Sequence, residues 1–212
     1  MSRRRFMNKS TDSSLWLYCP FTANAQDQSG NKRNVNVNNV SFTSDGALTK
    51  GSNDSYIDTG YTFDTASHAT TLVFRVKDLS GTSLRDNAFI FGALEPYPSN
   101  WPNYMWSFHR NDADVLQFYA YGGNFGEYKS SILRTGHRKV AIVYTQQSSK
   151  LYIDDTLYIS ISGSSRKGST SLCFGVRHNP DGRMNNPCSI QLRNLRIYDR
   201  ELSMSEIKSL DV

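Results

Sequence analysis

The 212-residue chain contains no apolar run that approaches the ~18 residues a helical membrane span requires, so insertion by a helix is not expected. Cysteine is scarce. Cys19, Cys173 and Cys188 form an odd set at no tight spacing, which argues against a disulfide framework and against a four-ligand zinc site. Cys173 and Cys188 bracket a loop short enough to be closed by a disulfide, but reduced thiols are the expected state. Glutamate is nearly as rare, with Glu95, Glu127, Glu201 and Glu206 the only four. No nucleophile-elbow sequence, His-Glu-x-x-His or glycine-rich phosphate loop is present, so the common hydrolase and nucleotide chemistries lose their usual carriers. His68, His109, His137 and His178 are read as surface residues without a special role. Asp112 and Asp114, two apart in "RNDAD", are read as a solvated turn. Helical periodicity does not persist beyond about two turns anywhere before Ser203. No Pro- or Gly-rich linker, internal repeat or low-complexity tract divides the chain.

What remains is a series of short alternating segments punctuated by Gly, Asn, Asp and Ser. "TLVFRVK" sets Leu72, Phe74 and Val76 against Arg75 and Lys77. "VLQFYAY" sets Leu116, Phe118 and Ala120 against Gln117, Tyr119 and Tyr121. "KVAIVY" (139–144) is continuously apolar, as in a strand covered on both faces. "KLYIDDTLYISIS" is a hairpin turning at Asp154-Asp155, and "SLCFGVR" places Leu172, Phe174 and Val176 on one side. At the end, "SIQLRNLRIYDRELSMSEIKSL" passes from a strand into one short helix, for which Ser203 and Glu206 form a capping box. Many short strands in one unit predict an all-β, two-sheet antiparallel jelly-roll sandwich over residues 15–212. A basic arm, residues 1–14, precedes it.

These segments resemble a known family. "LYCPFTANAQDQSGNKRNVNVNNVSFTSDGAL" followed by "SNDSYIDTG" is similar to the opening of laminin-G-like, concanavalin A-like jelly rolls, with their Asp-x-Ser-Gly-Asn turn at Asp27 to Asn31 and a strand at Ser55-Tyr56-Ile57. "HRKVAIVYTQQSSKLYIDDTLY" resembles the family's central hairpin, and "LRNLRIYDRELSMSEIKSL" its closing strand and helical turn. Two departures stand out. Asp154-Asp155-Thr156 replaces the usual Asp-Gly turn, and Arg138-Lys139 replaces an aromatic-His pair. The resemblance implies that the last strand lies beside the first.

Some members of that fold are glycosidases, which place two carboxyls ~5–5.5 Å apart on one strand face. The Glu-x-Asp-x-x-Glu pattern of the glucanase branch is missing, so no enzyme is expected. Binding is expected instead, through loops and a concave sheet. The candidate carbohydrate-binding residues are Tyr97, Trp101 and Tyr104 in the stiff loop "EPYPSNWPNYMW", Tyr119, Tyr121 and Asn124 beside the next strand, and Arg177, Asn179 and Asp181 in "RHNPDGRMNNP". Trp106 and Phe108 are expected in the core, and Trp101 is expected to be exposed. No cofactor is required. The resemblance admits one Ca2+, for which Asp27, Asp54 and Asp181 are the weak candidates.

The net charge is +5, and part of it is concentrated in Arg3, Arg4 and Arg5. No apolar h-region follows them, so export by a cleaved signal peptide is not expected. Three or four clustered charges are too few for a stand-alone nucleic-acid binder; the arm suits a solvated tail or a docking peptide. "MSRRRFMNK" resembles the start of small structural proteins of crAss-like phages. The expectation is therefore a non-catalytic virion protein made in the host cytoplasm (capsid decoration, head fibre or tail-associated). It would dock other virion proteins through the arm, oligomerise in the particle and present a lectin-like domain to glycans. A stand-alone bacterial surface lectin and a purely structural docking subunit remain alternatives.

Overall fold

The computed structural model describes residues 12–80, 87–94, 105–111, 113, 115–120, 124–129, 131–162 and 167–212. In chain order the strands are β1 (Leu15–Cys19), β2 (Asn36–Asn38), β3 (Ser41–Thr43), β4 (Gly46–Leu48), β5 (Tyr56–Asp58), β6 (Thr70–Asp78), β7 (Ala88–Leu94), β8 (Met105–Arg110), β9 (Val115–Ala120) and β10 (Asn124–Lys129). A four-residue helix, α1 (Ser131–Arg134), leads into β11 (Arg138–Tyr144), β12 (Ser148–Ile153), β13 (Thr156–Ser162), β14 (Cys173–Phe174), β15 (Arg177–His178), β16 (Met184–Asn185), β17 (Ile190–Tyr198) and α2 (Met204–Ser209).

Two sheets face each other. The first runs β13-β12-β11-β6-β17-β4-β3, with β1 also paired to β17; the second runs β10-β9-β8-β7-β14-β5-β2. All pairings are antiparallel, as the jelly-roll expectation requires. β17 serves two neighbours along one edge. Gln191 and Leu192 pair with β4, whereas Leu195 to Tyr198 pair with β1, so the last strand does lie beside the first. Between these halves Asn194 takes a positive φ and donates its N–H to Pro20 O, which lets the strand change partner.

The alternation in the sequence reappears as burial. Leu72, Phe74, Val76, Leu116, Phe118 and Ala120 all enter the core between the sheets. Trp106 and Phe108 join them, as expected. Phe74 meets Phe91 and Phe174 edge-on, with centroids 6.1 and 5.2 Å apart. β11 is covered twice: Val140, Ile142 and Tyr144 face the inter-sheet core, and Ala141 and Val143 lie under Leu202, Ile207 and Val212. One expectation fails locally. Gly175 takes φ +83°, which ends β14 at Phe174 and takes Val176 out of the strand, although it stays buried.

The closing signature has a physical reading. Ser203 and Glu206 form the capping box that starts α2. Arg200 reaches Glu206 Oε1 at 2.8 Å and Asp12 Oδ2 at 2.9 Å, and its Nε donates to Ser14 Oγ, so one guanidinium joins the start of the domain to the helix. The two departures from the family pattern complement each other. Arg138 pairs with Asp154 at 2.9 Å and Lys139 with Asp155 at 3.1 Å, while Asp154 and Asp155 adopt the two positive φ values of a type I′ turn. The buried Lys139 ammonium also donates to Ile207 O and Leu210 O at the C-terminal end of α2, where a cation is favoured.

Candidate functional site on the outer face of the second sheet

Register assembles two rows of side chains on the solvent side of the second sheet. In the first, Phe89 (β7) lies opposite His109 (β8), His109 opposite Gln117 (β9), and Gln117 opposite Glu127 (β10). In the second, Asp58 (β5) faces Cys173 (β14), Cys173 faces Gly92 (β7), Gly92 faces Ser107 (β8), and Ser107 faces Tyr119 (β9). A bulge in β7 makes the first row possible. The register shifts between Phe89 and Phe91, so Ile90 and Phe91 both turn inward while Phe89 points out.

The rings stack. Phe89 and His109 lie 4.4 Å apart at 16°, His109 and Tyr119 5.2 Å apart at 18°, and the Arg177 guanidinium sits 5.6 Å from the Phe89 centroid. Gly92 permits this approach, since a Cβ there would come within 3.0 Å of the Phe89 ring and 3.5 Å of Arg177 Cα. Arg177 Nε donates to Asn185 Oδ1 at 2.8 Å across the β15–β16 hairpin. Phe89 and His109 form a buried floor, Tyr119 is half-buried and Glu127 is exposed.

The polar groups form a directed chain. A carboxylate only accepts, so Gln117 turns its amide nitrogen to Glu127 Oε1 at 2.8 Å. Its carbonyl therefore faces His109 Nε2 at 3.1 Å, which must carry the proton. Nδ1 is left to accept from Ser107 Oγ at 3.3 Å. Burial, opposed by the Gln117 hydrogen bond and aided by the Arg177 charge, brings His109 down to about 4. The imidazole is neutral at physiological pH. The unfolded chain takes up this proton first, because its histidine titrates near the ordinary value of about 6.5. The His109 contribution to stability is therefore present above pH ~6.5 and lost as pH falls towards about 4. The expected loss is on the order of 3 kcal/mol. Urea unfolding of wild type and His109→Gln across that window measures it; equal pH slopes would overturn the assignment.

His109 thus corrects the reading of the histidines as surface groups: it is only 1% exposed. His178 is half-buried beside Cys173, and His68 approaches Asp199 at 3.5 Å. Of the predicted sugar-binding residues, Tyr119 and Arg177 fall on this face. Asn179 and Asp181 build the turn of the β15–β16 hairpin: Asn179 exchanges backbone hydrogen bonds with Arg183 and Gly182, and Asp181 pairs with Arg183. Asn124 opens β10 opposite Ala120. Tyr97, Trp101, Tyr104, Tyr121, Asp112, Asp114 and the arm residues Arg3, Arg4 and Arg5 lie outside the described residues. Asp27 is held in its own turn, accepting from the Tyr18, Ser29 and Arg33 amides and from Ser29 Oγ. Asp54 accepts from Ser52 and Asn39. Among the described residues, Asp27, Asp54 and Asp181 do not converge within ligand reach of one another. All three cysteines are free and buried.

Comparison with known proteins fits this architecture. The family model of the concanavalin A-like lectin/glucanases superfamily matches residues 50–208. No curated protein sequence matches the chain. Among solved structures, Trypanosoma rangeli sialidase bound to 2,3-difluoro-KDN superposes with a TM-score of 0.71 at 16% identity, over 93% of this chain and 32% of the sialidase. The ligand-binding domain of botulinum neurotoxin serotype D in complex with N-acetylneuraminic acid gives 0.66 at 18% identity, over 92% and 49%. The serotype G binding domain gives 0.65 at 14%, over 92% and 50%. The chain therefore spans about half of the toxin domains and about a third of the sialidase, and at these identities the likeness is one of fold.

Proposed function

Because the chain belongs to the concanavalin A-like lectin/glucanases superfamily, and because its second sheet turns stacked rings, an amide and a carboxylate outward in one register, we propose that it is a non-catalytic glycan-binding module that takes sugar on that face. The observation that carries this reading is the half-buried Tyr119 ring, backed by the buried Phe89–His109 stack and flanked by Gln117, Glu127 and Arg177. An accessible tyrosine with a polar rim suits a pyranose, which offers C–H groups to a ring and hydroxyls to planar polar groups. Glu127 lies opposite Gln117 and not a second carboxylate, which supports binding without hydrolysis. The aromatic segment with Tyr97, Trp101 and Tyr104 joins β7 to β8 in the chain and remains the recognition loop expected from the sequence.

The finer reading is a phage virion role, with the lectin-like domain displayed on a particle and Arg3, Arg4 and Arg5 docking it to other virion proteins. The resemblance of the first nine residues to phage structural proteins supports it.

A glycan array carrying neutral and sialylated sugars, with and without EDTA, tests the site. Tyr119→Ala and Trp101→Ala are each expected to lower binding at least tenfold with the fold intact. Loss of binding in EDTA that calcium and not zinc restores would assign calcium to the site. Silence of the wild-type chain across the array would sink the sugar reading and leave the docking subunit.

A further inference from the structure

At the far end of the second row, three donors of different chemistry meet. Cys173 on β14 and Asp58 on β5 are directly opposite on one sheet face. His178, five residues further on, is brought back over them because the chain reverses at Gly175. Glycine is needed there: its φ is +83°, and a Cβ would lie 2.8 Å from Thr49 Cγ2. Cys173 Sγ and His178 Nδ1 are 3.6 Å apart, and one ligand atom from each of the three residues lies within 4.8 Å of the others. Among the described residues this is the one such group.

We propose that Asp58, Cys173 and His178 form a binding site for a borderline-soft divalent cation, zinc foremost. Zn–S bonds near 2.3 Å and Zn–N or Zn–O bonds near 2.0–2.2 Å, at tetrahedral angles, put ligand atoms about 3.3–3.6 Å apart. The Sγ–Nδ1 separation already has that value, and the Asp58 carboxylate, within 4.8 Å of both, offers the third corner. Ser171 Oγ, 3.1 Å from the same imidazole nitrogen, stands where a fourth ligand or a held water belongs. A thiolate with an imidazole selects zinc over calcium or magnesium, which prefer six or more oxygens. The buried thiol is shielded from bulk solvent, while the half-buried Asp58 and His178 leave an approach from outside. The structural consequence is a clamp. The metal fixes β15 to β14 and β5, two residues being enough to span the gap between the sheet and the hairpin that carries Arg177.

The test is a cobalt(II) titration of the full, reduced, chelator-treated chain. A thiolate-to-cobalt charge-transfer band saturating at one metal per chain, then displaced by zinc, is the expected result. Cys173→Ser should abolish the band. His178→Gln, at a half-buried position where folding is spared, should weaken affinity at least tenfold. Zinc should raise the thermal midpoint of the wild type and not of His178→Gln. Absence of a thiolate band, or a band that persists in Cys173→Ser and so belongs to Cys19 or Cys188, would overturn the assignment. The readout is metal occupancy, so failure of the sugar reading leaves it unaffected.

Discussion

Replacing Arg110 with methionine is expected to lower the unfolding free energy by about 3–5 kcal/mol. Arg110 ends β8 in the second sheet and Asp78 ends β6 in the first, and both side chains are completely buried with Nε 3.4 Å from Oδ2. Asp78 Oδ1 accepts from the Ser80 amide at 2.8 Å, and none of the side chain's surface is exposed to water. The pair is therefore an electrostatic rivet between the sheets. Methionine fills much of the guanidinium's volume but removes its charge, and an uncompensated buried carboxylate remains. Since a domain's whole stability is about 5–15 kcal/mol, the loss is a large share of it. The diagnostic is the double variant. Asp78→Asn with Arg110→Met removes both charges, and a buried pair replaced at constant volume is often near neutral. Urea denaturation should show the double variant more stable than Arg110→Met alone. If the double variant loses the sum of what Arg110→Met and Asp78→Asn lose singly, packing and not charge explains the first.

Trp106→Ala is the second large expectation, at about 3–5 kcal/mol. Its ring is stacked on Phe63 at 4.9 Å and 17°, and it lies against Gly168, where a Cβ would come 3.2 Å from Cζ3. Gly168 has no side chain to fill the space, and the Phe63 ring is held by Tyr61 and Tyr144 as well, so the cavity term is large. Trp106 points inward while its neighbour Ser107 points outward, so this variant should lose stability without losing sugar affinity in the folded fraction. Thermal unfolding together with array binding separates the two effects. A folded Trp106→Ala that no longer binds any glycan would place Trp106 in the recognition surface instead.

Most of the sandwich was legible because period-two alternation belongs to a single strand. Leu72/Phe74/Val76 and Leu116/Phe118/Ala120 point where the sequence says they must. The capping box at Ser203 and Glu206 is likewise local, as is the Asp154-Asp155 turn. The candidate site was legible only in part. Tyr119 and Arg177 stood out as residue types, but Phe89 and His109 did not. Their partnership depends on the register of β7 against β8 and on a bulge at Ile90 that no single-strand pattern announces. The Asp58–Cys173–His178 group was hidden for the same reason. Asp58 lies more than a hundred positions before the other two, and only the pairing of β5 with β14 brings it to them. Arg138 and Lys139 looked like isolated departures from a family pattern until the turn aspartates across the hairpin supplied their partners.

The placement of β17 also governs how the chain can be made. Ile190–Tyr198 is hydrogen-bonded to β6 on one side and to β1 and β4 on the other, so it occupies the middle of the first sheet although it comes after all the other described strands in the chain. Until it leaves the ribosome, β1, β3 and β4 have no sheet to join, and the apolar faces of β6 and β11 wait uncovered. Pairing between residues so far apart in the chain is slow to nucleate. Closure of the first sheet therefore waits for β17, and until then the growing chain passes through an interval in which unpaired, apolar strand edges are open to other nascent chains.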